Sequence, residues 1–160
     1  MGTSRKRLII QEIINNLKLI NGATENVPNS PRSPYTFTSN VAGNVYDRLE
    51  YLPNINDFPS IFCYPISSET RRRISNAETY CTFLLEIRGY VQGEDPILLS
   101  SDLAQDIQYV VDSIKYRPSA QSLNIVECRT ESLATDEGLL EPYGLAEVRV
   151  LIVYLQDSNI

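Results

Sequence analysis

Three Glu-x-Arg pairs, Glu86/Arg88, Glu127/Arg129 and Glu147/Arg149, are the residues whose types and spacing come nearest to a reactive centre. Carboxylates on a strand hold Mg²⁺ in metal-dependent nucleases, where a lysine orients the attacking water. Here all three pairs carry Arg in place of Lys, and residues i and i+2 of any strand share a face. The spacing therefore fits surface ion pairs at least as well as a metal site. Glu94-Asp95 and Asp102-x-x-x-Asp106 offer oxygen ligands for Ca²⁺ or Mg²⁺, yet a carboxylate in a first helical turn is favoured by the helix dipole alone. No histidine occurs among the 160 residues, which removes Ser-His-Asp and Cys-His nucleophile activation and His-ligated zinc. Cys63, Cys81 and Cys128 are widely spaced, form no C-x-x-C and have no imidazole to activate them. They read as buried, reduced thiols. Arg71-Arg72-Arg73 is the basic cluster, in the connection between two strand candidates. It reads either as a solvated hairpin tip or as a contact with acidic protein or passing DNA. No cofactor and no metal site is expected.

These residues have to be positioned by elements legible from periodicity. Ile10, Ile13, Ile14, Leu17 and Ile20 mark an amphipathic helix over 4–20, with Thr3 or Ser4 to cap it and Gly22 beyond its end. Residues 22–57 are rich in Asn, Ser and Pro and read as an extended arm or long loop. Tyr35-Thr36-Phe37 and Val45–Leu49 would anchor it to a surface, and it is expected to order fully when a partner arrives. Period-two alternation then predicts four strands, at about 59–66, 79–91, 123–133 and 145–155. Cys81, Phe83, Leu85, Ile87 and Val91 share one face with Val126 and Cys128 and with Ala146, Val148, Val150, Ile152 and Tyr154. The three Glu-x-Arg pairs share the other face, where neighbouring strands would form a cross-strand charge ladder. Ser101 is expected to cap a second helix running to Tyr116, with Leu103, Ile107, Val110, Val111 and Ile114 on its apolar stripe and Pro118 stopping it.

The expected fold is a two-layer α+β domain spanning 1–160, with a mixed or antiparallel four-stranded sheet, two helices packed on one face and a long N-terminal arm. An apolar fraction of 42% suits a globular chain of this length. No apolar run reaches the ~18 residues of a membrane span, and the stretch after Arg5-Lys6-Arg7 is soon broken by Gln11 and Glu12. The expectation is an intracellular protein without membrane contact. Charge is asymmetric: residues 1–73 hold nine Lys/Arg against six Asp/Glu, residues 74–160 five against fourteen. That asymmetry suits head-to-tail contacts between copies. A net charge of -6 disfavours nucleic-acid binding.

The last connection differs in kind. It reads Thr135-Asp136-Glu137-Gly138-Leu139-Leu140-Glu141-Pro142-Tyr143-Gly144-Leu145-Ala146-Glu147, with two adjacent leucines between two turn elements. They either fold back on their own core or present an apolar tip to another subunit. The outer face of the final strand also turns apolar at Leu151, Val153 and Leu155.

This segment, followed by an alternating strand, resembles the C-terminal region of tail terminator proteins from long-tailed bacteriophages. The N-terminal helix, Phe58-Pro59-Ser60-Ile61, the strand Leu84–Val91 and the acidic Glu94-Asp95-Pro96 entry to a helix ending Leu103-Ala104-Gln105-Asp106-Ile107 match in order and length. The resemblance implies a structural virion protein and not an enzyme: a homo-hexameric ring that caps the tail tube, stops its polymerisation and docks the head's neck proteins. It implies partners in the tail tube protein and the neck or head-completion proteins, with tape measure or sheath as further neighbours. Genomic DNA would pass through the lumen without sequence-specific binding. The place would be the head-proximal end of the virion tail, reached by assembly in the host cytoplasm. Asp136, Glu137, Leu139, Leu140, Pro142, Tyr143 and Arg71, Arg72 and Arg73 are the expected subunit or tube interface. Another neck or tail ring protein is the alternative, followed by a regulatory binding domain and a small metal-dependent hydrolase.

Overall fold

The computed structural model describes residues 4–157. Helix α1 (Arg5–Leu17) starts at Ser4, whose hydroxyl accepts from the Arg7 N–H, and it buries Ile9, Ile13, Ile14 and Leu17. Ile9 therefore faces the core, while Ile10, one residue out of phase, is half-buried. Helix α2 (Pro96–Ser113) begins five residues before the expected Ser101. Asp95 caps it through the Leu98 N–H at 3.2 Å, and Pro96 occupies the first turn, where its missing N–H costs nothing. Leu103, Ile107, Val110, Val111 and Ile114 form a fully buried stripe, as their spacing predicts.

The main sheet is mixed and has six strands, not four. It contains β3 (Val45–Tyr46), β4 (Ser60–Pro65), β5 (Thr70–Arg73), β6 (Glu78–Gln92), β7 (Ile125–Thr135) and β8 (Tyr143–Asp157). The order is β3-β4-β6-β8-β7, with β5 also on β6 beyond the end of β4. The two extra strands are short. Arg71–Arg73, expected at a hairpin tip, are themselves β5, and Val45–Tyr46 runs parallel to Ile61–Phe62. The long pair β6–β8 forms the spine, fifteen residues on each side in continuous antiparallel register.

Both helices lie on one sheet face, over Cys81, Phe83, Leu85, Ile87, Val148, Val150, Ile152 and Tyr154. Val126 departs from the expected pattern and is exposed. A register irregularity between Ile125 and Glu127 shifts the alternation, so that Cys128 alone of the two turns inward.

Residues 22–57 are part of the body rather than a free arm. Thr24–Glu25 (β1) and Tyr35–Thr36 (β2) pair with each other, and Val27, Phe37, Val41 and Val45 are buried. Tyr35 stacks on Tyr109 of α2 with centroids 4.2 Å apart. Arg117, just past α2, reaches back to Glu25 at 2.5 Å. Ile55 crosses to the opposite sheet face, where it packs in a second small cluster with Phe62 and Tyr90. Composition predicted a loop; the scattered aromatic and β-branched anchors within it supply the burial that fixes it in place.

Candidate functional site

The connection between β7 and β8 is a rigid bracket with one apolar residue at its tip. Asp136 holds it together, accepting the Leu140 N–H on Oδ2 at 3.0 Å and the Leu145 N–H on Oδ1 at 2.9 Å. The chain turns at Glu137 and Gly138, both with positive φ, the second at 88°. At the far side Pro142 accepts the Gly93 N–H through its carbonyl, and Tyr143 packs against Phe58 with centroids 5.4 Å apart. Thus Asp136, Pro142 and Tyr143 position the loop from within. Leu140 is half-buried, while Leu139 is 88% exposed. Leu139 thus projects into solvent, whereas Leu140 is partly withdrawn from it without joining the core.

Ile97, Leu98 and Leu99 at the start of α2 are also exposed, Leu98 to 55%, and Ile97 lies against the loop. Gly138 touches the first of them closely: a Cβ added there would lie 3.1 Å from Ile97 Cδ1. These three residues escaped the sequence reading because the helix was expected to begin at Ser101. Periodicity alone gives the later start, whereas the family resemblance takes Glu94-Asp95-Pro96 as the helix entry, and Asp95 is indeed its cap.

The arginine cluster lies elsewhere, on the sheet edge. Arg71 pairs with Glu69 at 2.7 Å, and Glu69 in turn accepts from the Tyr154 hydroxyl at 2.6 Å. Arg72 and Arg73 are exposed and have no acidic partner among the described residues. The loop and the cluster are thus two separate surfaces.

The Glu-x-Arg pairs form the expected ladder across β6 and β8, where Glu86 faces Arg149 and Arg88 faces Glu147. Arg88 lies 3.4 Å from Glu86 and 3.7 Å from Glu147, and Arg149 lies 3.5 Å from Glu86. Arg129 instead pairs within β7, with Glu127 at 3.2 Å and Glu131 at 3.5 Å. Tyr64 donates to Glu86, which is only 3% exposed. Burial acts to raise the Glu86 pKa, but hydrogen bonds from Glu147 and Tyr64 and the charges of Arg88 and Arg149 outweigh it and hold the carboxyl below the usual range. Glu147 is held above that range, first by its hydrogen bond to Glu86, then by burial and the Glu86 charge. Glu86, Glu147, Arg88 and Arg149 thus form a charge network across the two strands, in which Glu86 Oε1 and Arg88 Nε are buried without a hydrogen-bond partner among the described residues.

Among the described residues no three His, Cys, Asp or Glu side chains cluster as a metal site, and no helix is long and apolar enough to cross a membrane. The three cysteines are free and buried, and burial pushes each thiol up, away from nucleophilic reactivity. A cleft of about 380 Å³ opens between Arg32, Tyr109, Asp112, Lys115 and Arg129, with charges of both signs, and within it the Thr130 hydroxyl donates to Asp112 Oδ1 at 3.3 Å.

The described surface thus combines an α+β scaffold with an exposed apolar tip, a basic edge and a charge network. The chain belongs to the bacteriophage tail tube terminator protein family, whose family model matches residues 15–160. It is also similar to tail tube terminator protein p142 of Escherichia phage T5, with 29% identity over 130 residues, covering 76% of this chain and 80% of the relative. The chain is accordingly a phage tail terminator, a component of the virion tail.

Proposed function

We propose that copies of this chain close into a ring, six per ring, that caps the tail tube, stops its polymerisation and offers its other face to the neck or head-completion proteins. Membership of the terminator family supports the place at the tube's end. The observation that carries the capping contact is Leu139, 88% exposed on a loop that Asp136 holds fixed, beside exposed Ile97 and Leu98. An apolar tip on a rigid support gains most by burial against a partner, because little conformational freedom is lost on docking. With a net charge of -6, the lumen would let genomic DNA pass without sequence-specific binding. Assembly would take place in the host cytoplasm, at the head-proximal end of the tail, with tape measure or sheath as further neighbours.

Native mass spectrometry and negative-stain microscopy of the purified protein, alone and with tail tubes, test this reading. A closed oligomer in at least one condition, seated at one end of the tube, is expected. A monomer in both conditions overturns it.

A further inference from the structure

The apolar tip is a surface built from separate parts of the chain. Leu139 comes from the loop before β8, and exposed Ile97, Leu98 and Leu99 come from the first turns of α2. The turn between β6 and α2 ties them together. There the Gly93 N–H donates to the Pro142 carbonyl at 3.1 Å, and a Cβ on Gly93 would lie 2.6 Å from Leu99 Cδ1. A Cβ on Gly144 would likewise lie 2.7 Å from the Pro96 carbonyl oxygen. Close approach at these two glycines holds the loop and the start of α2 as one unit. The backbone that carries the four exposed apolar side chains therefore needs no ordering on docking.

What this surface fits is set by the charge around it. Residues 93–106 and 132–147 contain eight Asp and Glu and no Lys or Arg. Four of the eight are engaged within the fold. Asp106 is buried and accepts from Tyr35, Thr38 and Ser39, Glu147 pairs with Arg88, Asp95 caps α2 and Asp136 braces the loop. Glu94, Asp102, Glu137 and Glu141 have no basic partner within ion-pair distance among the described residues. Asp102 is half-buried and adds to the negative charge felt by Tyr35, while the other three are exposed. Glu94 precedes the apolar run of α2, and Glu137 and Glu141 bracket Leu139 and Leu140 in the chain. The arginine cluster supplies no counter-charge here, since it pairs with Thr79–Cys81 at the opposite end of β6.

Three like charges around an apolar centre select against one partner and for another. They oppose a meeting of the tips of two copies, which would set acid against acid. They favour a surface whose own apolar seat is rimmed by Lys or Arg. Rim charges act chiefly by steering the encounter, so the contact they guide weakens as salt screens them. We infer that the end of the tail tube offers this tip an apolar seat ringed by basic residues, which Glu94, Glu137 and Glu141 select. This rests on the capping reading above and names the chemistry of the surface that is capped.

The test uses two triple variants, one with Glu94→Gln, Glu137→Gln and Glu141→Gln, the other with Lys at the same three positions. Circular dichroism and melting establish that each folds. Binding to isolated tail tubes is measured by sedimentation at about 50 and about 500 mM salt, between which the screening length falls from roughly 14 to 4 Å. The wild type should bind several-fold more weakly at the higher salt. The Gln protein should lose about tenfold at the lower salt together with most of the salt dependence, and the Lys protein should not bind. In parallel, Leu139→p-benzoylphenylalanine keeps the tip apolar and, irradiated on tubes, should cross-link to a tube protein peptide that contains Lys or Arg. Wild-type binding insensitive to salt, or a Lys protein that binds as well as the wild type or better, overturns the basic seat and leaves capping intact. A cross-link to a tube peptide without Lys or Arg, or none at all from bound protein, overturns it as well. A cross-link to a second copy of this chain overturns it and moves the tip to the joint between copies. A wild type that binds tubes at neither salt overturns the capping reading and this seat with it.

Discussion

Tyr35 donates its phenolic proton to Asp106 Oδ1 across 2.8 Å, tying the N-terminal segment to the middle of α2. Asp106 is fully buried and also accepts from the Ser39 N–H at 2.8 Å and from the Thr38 N–H and hydroxyl at 3.3 Å. Burial, and then this carboxylate, push the Tyr35 pKa up, so the phenol remains a donor at physiological pH. Asp106→Asn puts an NH₂ where an acceptor oxygen stood and leaves donors facing it. It is expected to lower unfolding stability by roughly 2–4 kcal/mol. Hydrogen exchange should show protection lost mainly over residues 35–45. Unchanged protection there would mean that the aromatic stack and Val41 hold the segment by themselves.

Regular elements were legible in the sequence because their signal is periodic. The α2 stripe and the inward faces of β6 and β8 are read directly from Leu103–Ile114, Cys81–Val91 and Ala146–Tyr154, all of which repeat with their element's period and are buried as expected. What escaped was set by single contacts. A two-residue strand such as Val45–Tyr46 has no period to detect, and Asp106, read from sequence only as a candidate cation ligand with Asp102, gains its role from a segment 67 residues earlier. The loop from Asp136 to Tyr143 was recognised as special, but which of its residues hold it and which face outward depends on Asp136 reaching Leu145 and on Tyr143 meeting Phe58.

Gly89 fixes how closely α2 approaches the sheet. A Cβ added at this position would lie 2.5 Å from Leu103 Cδ2 and 3.3 Å from Ile107 Cδ1, both in the buried stripe. Gly89→Ala should therefore destabilise the fold by about 1–3 kcal/mol through overpacking. Combining it with Leu103→Ala, which vacates the space, should cost less than the two single changes add up to. Strict additivity in thermal or urea unfolding would show that the helix simply shifts to accommodate the methyl.

The opposite pKa shifts of Glu86 and Glu147 predict a pH dependence with a definite sign. A carboxyl whose pKa is raised on folding, as for Glu147, contributes stability at low pH and loses it as the pH rises through its folded value. Glu86, held low, contributes above the ordinary carboxylate range and loses that contribution as the pH falls. Glu147→Gln keeps a donor toward Glu86 without a titrating proton. The melting temperature of this variant relative to wild type should rise as the pH is taken from about 4 to 7. A difference that stays constant with pH would show that folding does not raise the Glu147 pKa.

Leu139 and Leu140 are adjacent in sequence and opposite in environment, which separates assembly from folding in a single experiment. Leu139 is exposed on the bracket formed by Asp136, while Leu140 is half-buried. Leu139→Asp removes no intramolecular burial, so its melting temperature should match wild type within the ±0.5 kcal/mol of an ordinary surface change. Its capping of tail tubes should fall sharply, since a charge would be buried at the contact or the contact forgone. Leu140→Asp should instead lower stability by about 1–3 kcal/mol, because part of its side chain is already out of water. Tube length distributions measured by electron microscopy give the capping readout, and thermal unfolding gives the stability. Normal capping by Leu139→Asp would move the apolar contact from the loop to Ile97 and Leu98, where Leu98→Asp then becomes the deciding change.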